Sequence, residues 1–206
     1  MQNGGLIYQS TAIIHTNAKH KLNLVQINTQ TGLIDNVSYI ASPNEDERPS
    51  DCDIDLIVIH SISLPPGEYG GPWIEKLFTN RLPEDGHPYF REIHQLKVSA
   101  HVLIRRDGTI QQFVPFHRRA WHAGQSCYEG RETCNNFSIG IELEGTDDSP
   151  FEEVQYQQLA ELIKALESSY DCINKTRITG HSDIAPGRKT DPGSGFDWNK
   201  LNTLLS

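Results

Sequence analysis

Apolar positions along this chain fall into short runs of two kinds, and each kind predicts an element. Leu56-Ile57-Val58-Ile59 is an unbroken, largely β-branched run, the pattern of a strand covered on both faces, with His60 at its C-terminal end. Phe137 to Leu143 is a second run, and its alternation sends Glu142 and Glu144 to the same face as Ser138 and Gly140. Val102-Leu103-Ile104 and Thr109 to Val114 flank Arg106-Asp107-Gly108, where Asp-Gly signals a hairpin. Arg177-Ile178-Thr179 predicts a short strand running into Gly180-His181. The helical period shows instead at Leu159, Leu162, Ile163 and Leu166, which predicts a helix of about 18 residues with one apolar stripe. Upstream, Ser149-Pro150-Phe151-Glu152 has the form of a capping box with proline at the first helical position. Pro72 suits the first turn of another short helix, reaching about Arg81.

Before residue 50 no periodicity is sustained. Ser42 to Ser50 is polar, charged and bounded by prolines, which predicts a loop with the packed domain starting after it. Ser10 to Ile14 and Leu22 to Ile27 are β-branched enough for an added hairpin, and equally compatible with a mobile arm. Strands mixed with helices place the 206 residues in the α/β class, in the mixed α+β sense, as one domain.

Charge and composition narrow the partners. A formal net charge of −9 makes a nucleic-acid backbone or an anionic membrane a poor partner. No apolar run approaches the roughly 18 residues of a spanning helix. Met1-Gln2-Asn3-Gly4-Gly5 has neither the basic nor the apolar region of a secretory signal, which predicts a cytoplasmic protein. Cys52, Cys127, Cys134 and Cys172 are then expected as free thiols.

The candidate chemistry sits at strand ends. His60 and His181 each follow a predicted strand, and Asp191 lies ten residues further on in a Gly/Pro-rich loop. Two neutral imidazoles and one carboxylate would leave zinc with a net charge of +1 and an open fourth position, the composition of a catalytic site. A single histidine among nine is more often a packing or surface group, and His15, His20, His87, His94 and His117 keep that reading. Glu142 in an apolar strand is costly unless a metal, a lysine, a water or a structural arginine compensates it. Lys189, two residues before Asp191, suits an oxyanion partner, unless it is an ordinary surface lysine.

Several segments together carry a resemblance: Ile59 to Pro72, Leu77 to Leu82, Val98-Ser99-Ala100-His101, Ala120-Trp121-His122-Ala123-Gly124, Ser138 to Gly145, and Gly180 to Pro192. From about residue 32 to 200 the chain is similar to the AmpD-type N-acetylmuramoyl-L-alanine amidases, which are zinc enzymes related to phage amidases and peptidoglycan-recognition proteins. The resemblance implies one zinc per chain on His60, His181 and Asp191, an acid/base at Glu142 and oxyanion stabilisation by Lys189. It also implies a mixed, mostly β sheet of five or six strands flanked by helices. The amidase domain would span 32–206, behind an N-terminal extension, 1–31, of unknown role. The implied reaction hydrolyses the amide between N-acetylmuramic acid, in its 1,6-anhydro form, and L-Ala of the stem peptide. An anhydromuropeptide is then the partner of a cytoplasmic recycling enzyme, with a monomer the favoured state.

His122 and three departures from the family pattern mark the expected substrate-binding positions. Ser61 stands where relatives commonly carry Asn, and Lys97 and Thr133 where they usually carry Arg. Ser61 keeps hydrogen-bonding capacity, Lys97 keeps charge without the bidentate fork, and Thr133 loses the charge. These departures bear on affinity or peptide preference rather than on activity. Two alternatives are an amidase acting on intact wall outside the cytoplasm and a non-catalytic peptidoglycan-binding module. The first would need a signal, and members of the second generally lack a complete ligand set.

Overall fold

The computed structural model describes residues 25–206, so His15, His20 and the β-branched stretch Ser10 to Ile14 lie outside the described residues. A hairpin of β1 (Ile27–Asn28) and β2 (Leu33–Ile34) is followed by β3 (Ser38–Tyr39), β4 (Glu45–Glu47) and β5 (Leu56–Ile62). Helices α1 (Trp73–Phe78) and α2 (Phe90–Ile93) precede β6 (Val102–Ile104), β7 (Ile110–Gln112) and β8 (Arg118–Ala120). Short strands β9 (Cys127–Tyr128) and β10 (Arg131–Glu132) lead through a 3-10 turn, Cys134–Asn136, into β11 (Ser138–Glu144). Then come α3 (Glu153–Ser169), β12 (Ile178–Gly180), α4 (His181–Ile184) and α5 (Trp198–Leu204).

Six strands form one mixed sheet in the order β12-β5-β11-β6-β7-β3. β12, β5, β11 and β6 run parallel, β7 turns back antiparallel to β6, and β3 pairs parallel with β7. The pleat sorts the side chains. Ile57, Ile59, Ile139, Ile141, Leu143, Val102 and Ile104 pack in one cluster with Leu159, Leu162, Ile163 and Leu166 of α3. Leu56, Val58 and Leu103 belong to clusters with α1, α4 and the β8–β11 connection. His60, Gly140 and Glu142 alternate onto that second side, and β5 is buried on both faces as its unbroken apolar run predicts.

The hairpin at Asp107-Gly108 forms, with Gly108 at φ +84° and the Arg105 amide donating to the Thr109 carbonyl. Two helix starts differ from expectation. The N-cap of α3 is Glu152, locked in a capping box with Gln155, so Ser149 and Pro150 lie outside the helix. Ser149 is used elsewhere: a Cβ on Gly195 would stand 2.3 Å from its carbonyl oxygen, so that backbone is committed to packing against the 193–195 loop. Pro72 caps α1 rather than occupying its first turn, and the helix stops at Phe78 because Asn80 turns left-handed (φ 57°), short of Arg81.

The larger correction concerns residues 25–50. Ile34 is a core residue, with Val25, Ile27 and Val37 packed against the same cluster, so packing reaches well before residue 50. The charged stretch expected to be loop contains β4, paired antiparallel with β8 so that Glu45, Asp46 and Glu47 face Ala120, Arg119 and Arg118. Arg118 bonds Glu45 at 2.5 Å and Arg119 bonds Asp46. Cross-strand charge pairing, which has no hydrophobic signature, holds this ribbon together.

Candidate metal-dependent active site

Three adjacent parallel strands, β12, β5 and β11, end side by side and deliver the site. Such C-terminal strand edges are where open α/β sheets place their ligands. His60 lies opposite Glu142 in the β5–β11 register, and Gly180, opposite Ile59, hands the chain to His181 at the start of α4. The Asp191 loop returns onto this edge, with the Ser182 amide donating to the Asp191 carbonyl at 2.9 Å. Gly180 makes room for it, since a Cβ there would sit 2.9 Å from Pro192 Cδ.

His60 Nδ1, His181 Nδ1 and Asp191 Oδ2 form a triangle with every edge 3.0 Å. Both histidines are buried and Asp191 is partly so. Burial pushes the His60 imidazole down to about 4 against the pull of its Asp191 partner, leaving it neutral at pH 7. Burial alone would raise the Asp191 carboxyl, but the two imidazoles hold it well below the usual carboxylate range. His181 Nε2 donates to the Ala123 carbonyl at 3.1 Å, so a neutral ring presents a bare Nδ1. A bare nitrogen 3.0 Å from a carboxylate oxygen is repulsive without a cation. Zinc takes N and O donors at about 2.0–2.2 Å, which spaces tetrahedral donors roughly 3.3–3.6 Å apart. The triangle is within a few tenths of an ångström of that, so the residues fit zinc.

Beside the triangle runs a cleft of about 490 Å³, lined among others by Ser61, Trp121, His122, Glu142, Asp147 and Lys189. Glu142 is buried, and its Oε2 has no hydrogen-bond partner among the described residues. Burial, reinforced by the Asp191 charge and opposed by Lys189, raises its carboxyl well above the ordinary value. Glu144, two residues on, is the structural carboxylate: it bonds Arg105 at 2.9 Å and the Gly70 amide at 2.7 Å. Lys189 is exposed on the cleft rim, its charge felt at both Glu142 and His60.

The expected substrate-binding positions divide. Ser61 lines the cleft, its hydroxyl donating to Asp147 Oδ1 at 3.0 Å, while Thr190 bonds the other oxygen. His122 lines it too, but both ring nitrogens are engaged within the protein, Nδ1 with His60 at 2.9 Å and Nε2 with Ser138 at 3.1 Å. Lys97 and Thr133 are exposed and are not among the residues lining this cleft; Thr133 borders a separate depression with Cys127 and Arg188. Sequence reasoning missed Asp147, although Gly145-Thr146-Asp147 directly follows the Glu142 strand.

The Amidase_2 family, described as N-acetylmuramoyl-L-alanine amidase, matches residues 50–194. This chain belongs to that amidase family. A relative is the 1,6-anhydro-N-acetylmuramyl-L-alanine amidase AmpD of Escherichia coli K12, 59% identical over 167 residues, or 81% of this chain and 91% of that protein. The amidase also superposes on the crystal structure of a selenomethionine derivative of AmpD with TM-score 0.84 and 53% identity, covering 87% of this chain and 99% of that one. A complex of E. coli AmiD with anhydro-N-acetylmuramic acid-L-Ala-D-γ-Glu-L-Lys is 31% identical with TM-score 0.53, covering 77% of this chain and 60% of that one.

Proposed function

We propose that this amidase hydrolyses the amide between 1,6-anhydro-N-acetylmuramic acid and the L-Ala of a stem peptide, in peptidoglycan recycling. One zinc ion per chain would be held by His60, His181 and Asp191. The observation that carries the reading is the convergence of these three donors in the cleft that also holds Glu142, a buried carboxylate with a free oxygen. Kinship with AmpD supports the anhydro substrate.

Bound in an open three-ligand site, zinc would supply Lewis acidity toward water and the scissile carbonyl. The chain's own residues move the protons. Glu142 takes one from the attacking water as the C–O bond forms, and its raised affinity for protons suits it to hold that proton. It then delivers the proton to the amide nitrogen as the C–N bond breaks, and the second proton of the water passes from the new lactyl carboxyl to the amine, leaving a lactyl carboxylate and the ammonium of L-Ala. Lys189, on the rim, offsets the negative charge that develops on the carbonyl oxygen.

The reading assigns the reaction to the cytoplasm, supported by Cys52, Cys127, Cys134 and Cys172 as free thiols. No described helix is long and apolar enough to cross a membrane. Incubation with anhydromuropeptide beside intact sacculi tests the whole. Release of an L-Ala-headed peptide from the soluble substrate is expected. Preferential attack on sacculi would make it a wall amidase, and binding without cleavage a recognition module.

A further inference from the structure

Behind the metal-type triangle runs a chain of three hydrogen bonds. His60 Nε2 lies 2.9 Å from His122 Nδ1, His122 Nε2 lies 3.1 Å from Ser138 Oγ, and Ser138 Oγ lies 2.6 Å from the Cys134 carbonyl oxygen. The carbonyl can only accept, so the Ser138 hydroxyl donates to it. Ser138 Oγ is then an acceptor for His122 Nε2–H, which in a neutral ring leaves Nδ1 bare. His122 Nδ1 in turn can only accept, and the group facing it must be His60 Nε2–H. A neutral His60 therefore presents Nδ1 unprotonated to His181 and Asp191. Every proton in the chain is fixed in direction by a backbone carbonyl at its far end.

The scaffold around His122 is built to hold this arrangement. Its ring occupies the space over Gly140, where a Cβ would stand 2.4 Å from the ring carbon Cγ. The amides of His122 and Ala123 both donate to Asn135 Oδ1, at 3.2 and 2.8 Å. The Ala123 carbonyl is the acceptor for His181 Nε2, so one clamped dipeptide orients both imidazoles, His60 by a side chain and His181 by the backbone.

We infer that His122 is a positioning residue which sets the tautomer and ring orientation of His60 as a metal ligand, with Ser138 as its anchor. This rests on the zinc reading above. It differs from a substrate-binding role for His122, whose nitrogens are both already engaged. Partners of this kind fix ligand orientation and typically contribute about 10–100-fold in metal affinity.

The test measures zinc affinity by chelator competition in wild type, His122→Leu, His122→Asn and Ser138→Ala. Affinity is expected to fall about 10–100-fold in His122→Leu. It should recover largely in His122→Asn, whose amide oxygen stands near the position of Nδ1, and fall more modestly in Ser138→Ala. Nitrogen-15 spectra of the imidazoles in metal-stripped wild type should show His60 as the Nε2–H tautomer. They need no variant, so they remain decisive if His122→Leu does not fold. Wild-type zinc affinity in folded His122→Leu, or His60 carrying its proton on Nδ1 in the stripped wild type, overturns the inference and leaves the zinc reading intact. Wild-type protein that binds no zinc overturns the zinc reading and this inference with it.

Discussion

Glu142 and Glu144 share one strand and one face, yet their surroundings give them opposite roles. Glu144 is neutralised by Arg105 and two backbone amides, so Glu144→Ala leaves a guanidinium uncompensated in a nearly dry site. Breaking such a pair costs about 3–5 kcal/mol, which urea unfolding would register. Glu142 has burial without a partner for Oε2, so Glu142→Gln should leave stability unchanged or raise it. A loss comparable to that of Glu144→Ala would mean that Glu142 is a structural carboxylate. Lys189→Ala should keep zinc and fold while turnover falls roughly 10²–10³-fold, the scale of removing one oxyanion donor. Turnover at the wild-type level would return Lys189 to the status of a surface lysine.

At the level of elements, much was legible because burial and periodicity coincide. The stripe Leu159, Leu162, Ile163, Leu166 became the buried face of α3, and the run Leu56 to Ile59 a strand closed on both sides. His60 and His181 were legible as candidate donors because they sit where such runs end. The parts that escaped depend on pairing across sequence distance. β4 is held by Arg118 and Arg119 more than seventy residues away, and Arg48 donates to the carbonyls of Phe116, Asn135, Asn136 and Ser138, with no carboxylate partner among the described residues. The cap of α3 moved because backbone packing at Ser149 outweighed a local capping preference. Gly140 shows the same dependence, since its missing side chain is the seat of His122. Gly140→Ala should destabilise by about 1–3 kcal/mol through overpacking, and should weaken zinc binding as well. Unfolding curves and chelator competition on one preparation check both, and full zinc affinity in a destabilised protein would uncouple Gly140 from the ligand scaffold.

Across the whole molecule, the two clusters on the site side of the sheet meet around a buried polar region centred on His101. Its Nδ1 accepts from the Gly140 amide at 3.0 Å, and its Nε2 lies 3.1 Å from the Arg118 carbonyl and 3.0 Å from Arg48 Nη2. Burial, aided by the Arg48 charge, holds this imidazole well below its ordinary value. The unfolded chain, with a histidine near 6.5, therefore binds more protons than the native one below that pH. Stability should be fully present above about pH 6.5 and decline as pH falls toward 5. The buried His60 and His122 imidazoles, also held below the ordinary value, add to the same slope, so His101→Asn, which keeps an acceptor for Gly140, should reduce it without abolishing it. A slope between pH 7 and 5 that is the same in folded His101→Asn as in wild type would contradict a neutral buried His101.

On the proposed reading, metal binding and proton transfer reside in different residues of one cleft. Zinc content and turnover of anhydromuropeptide, measured together on wild type, His181→Ala and Glu142→Gln, test it most directly. One zinc per chain is expected in wild type, with loss of zinc and activity together in His181→Ala. Glu142→Gln should keep full zinc, with turnover reduced by at least about 10²–10⁴-fold. Near-normal turnover in Glu142→Gln, or loss of its zinc, would contradict the account.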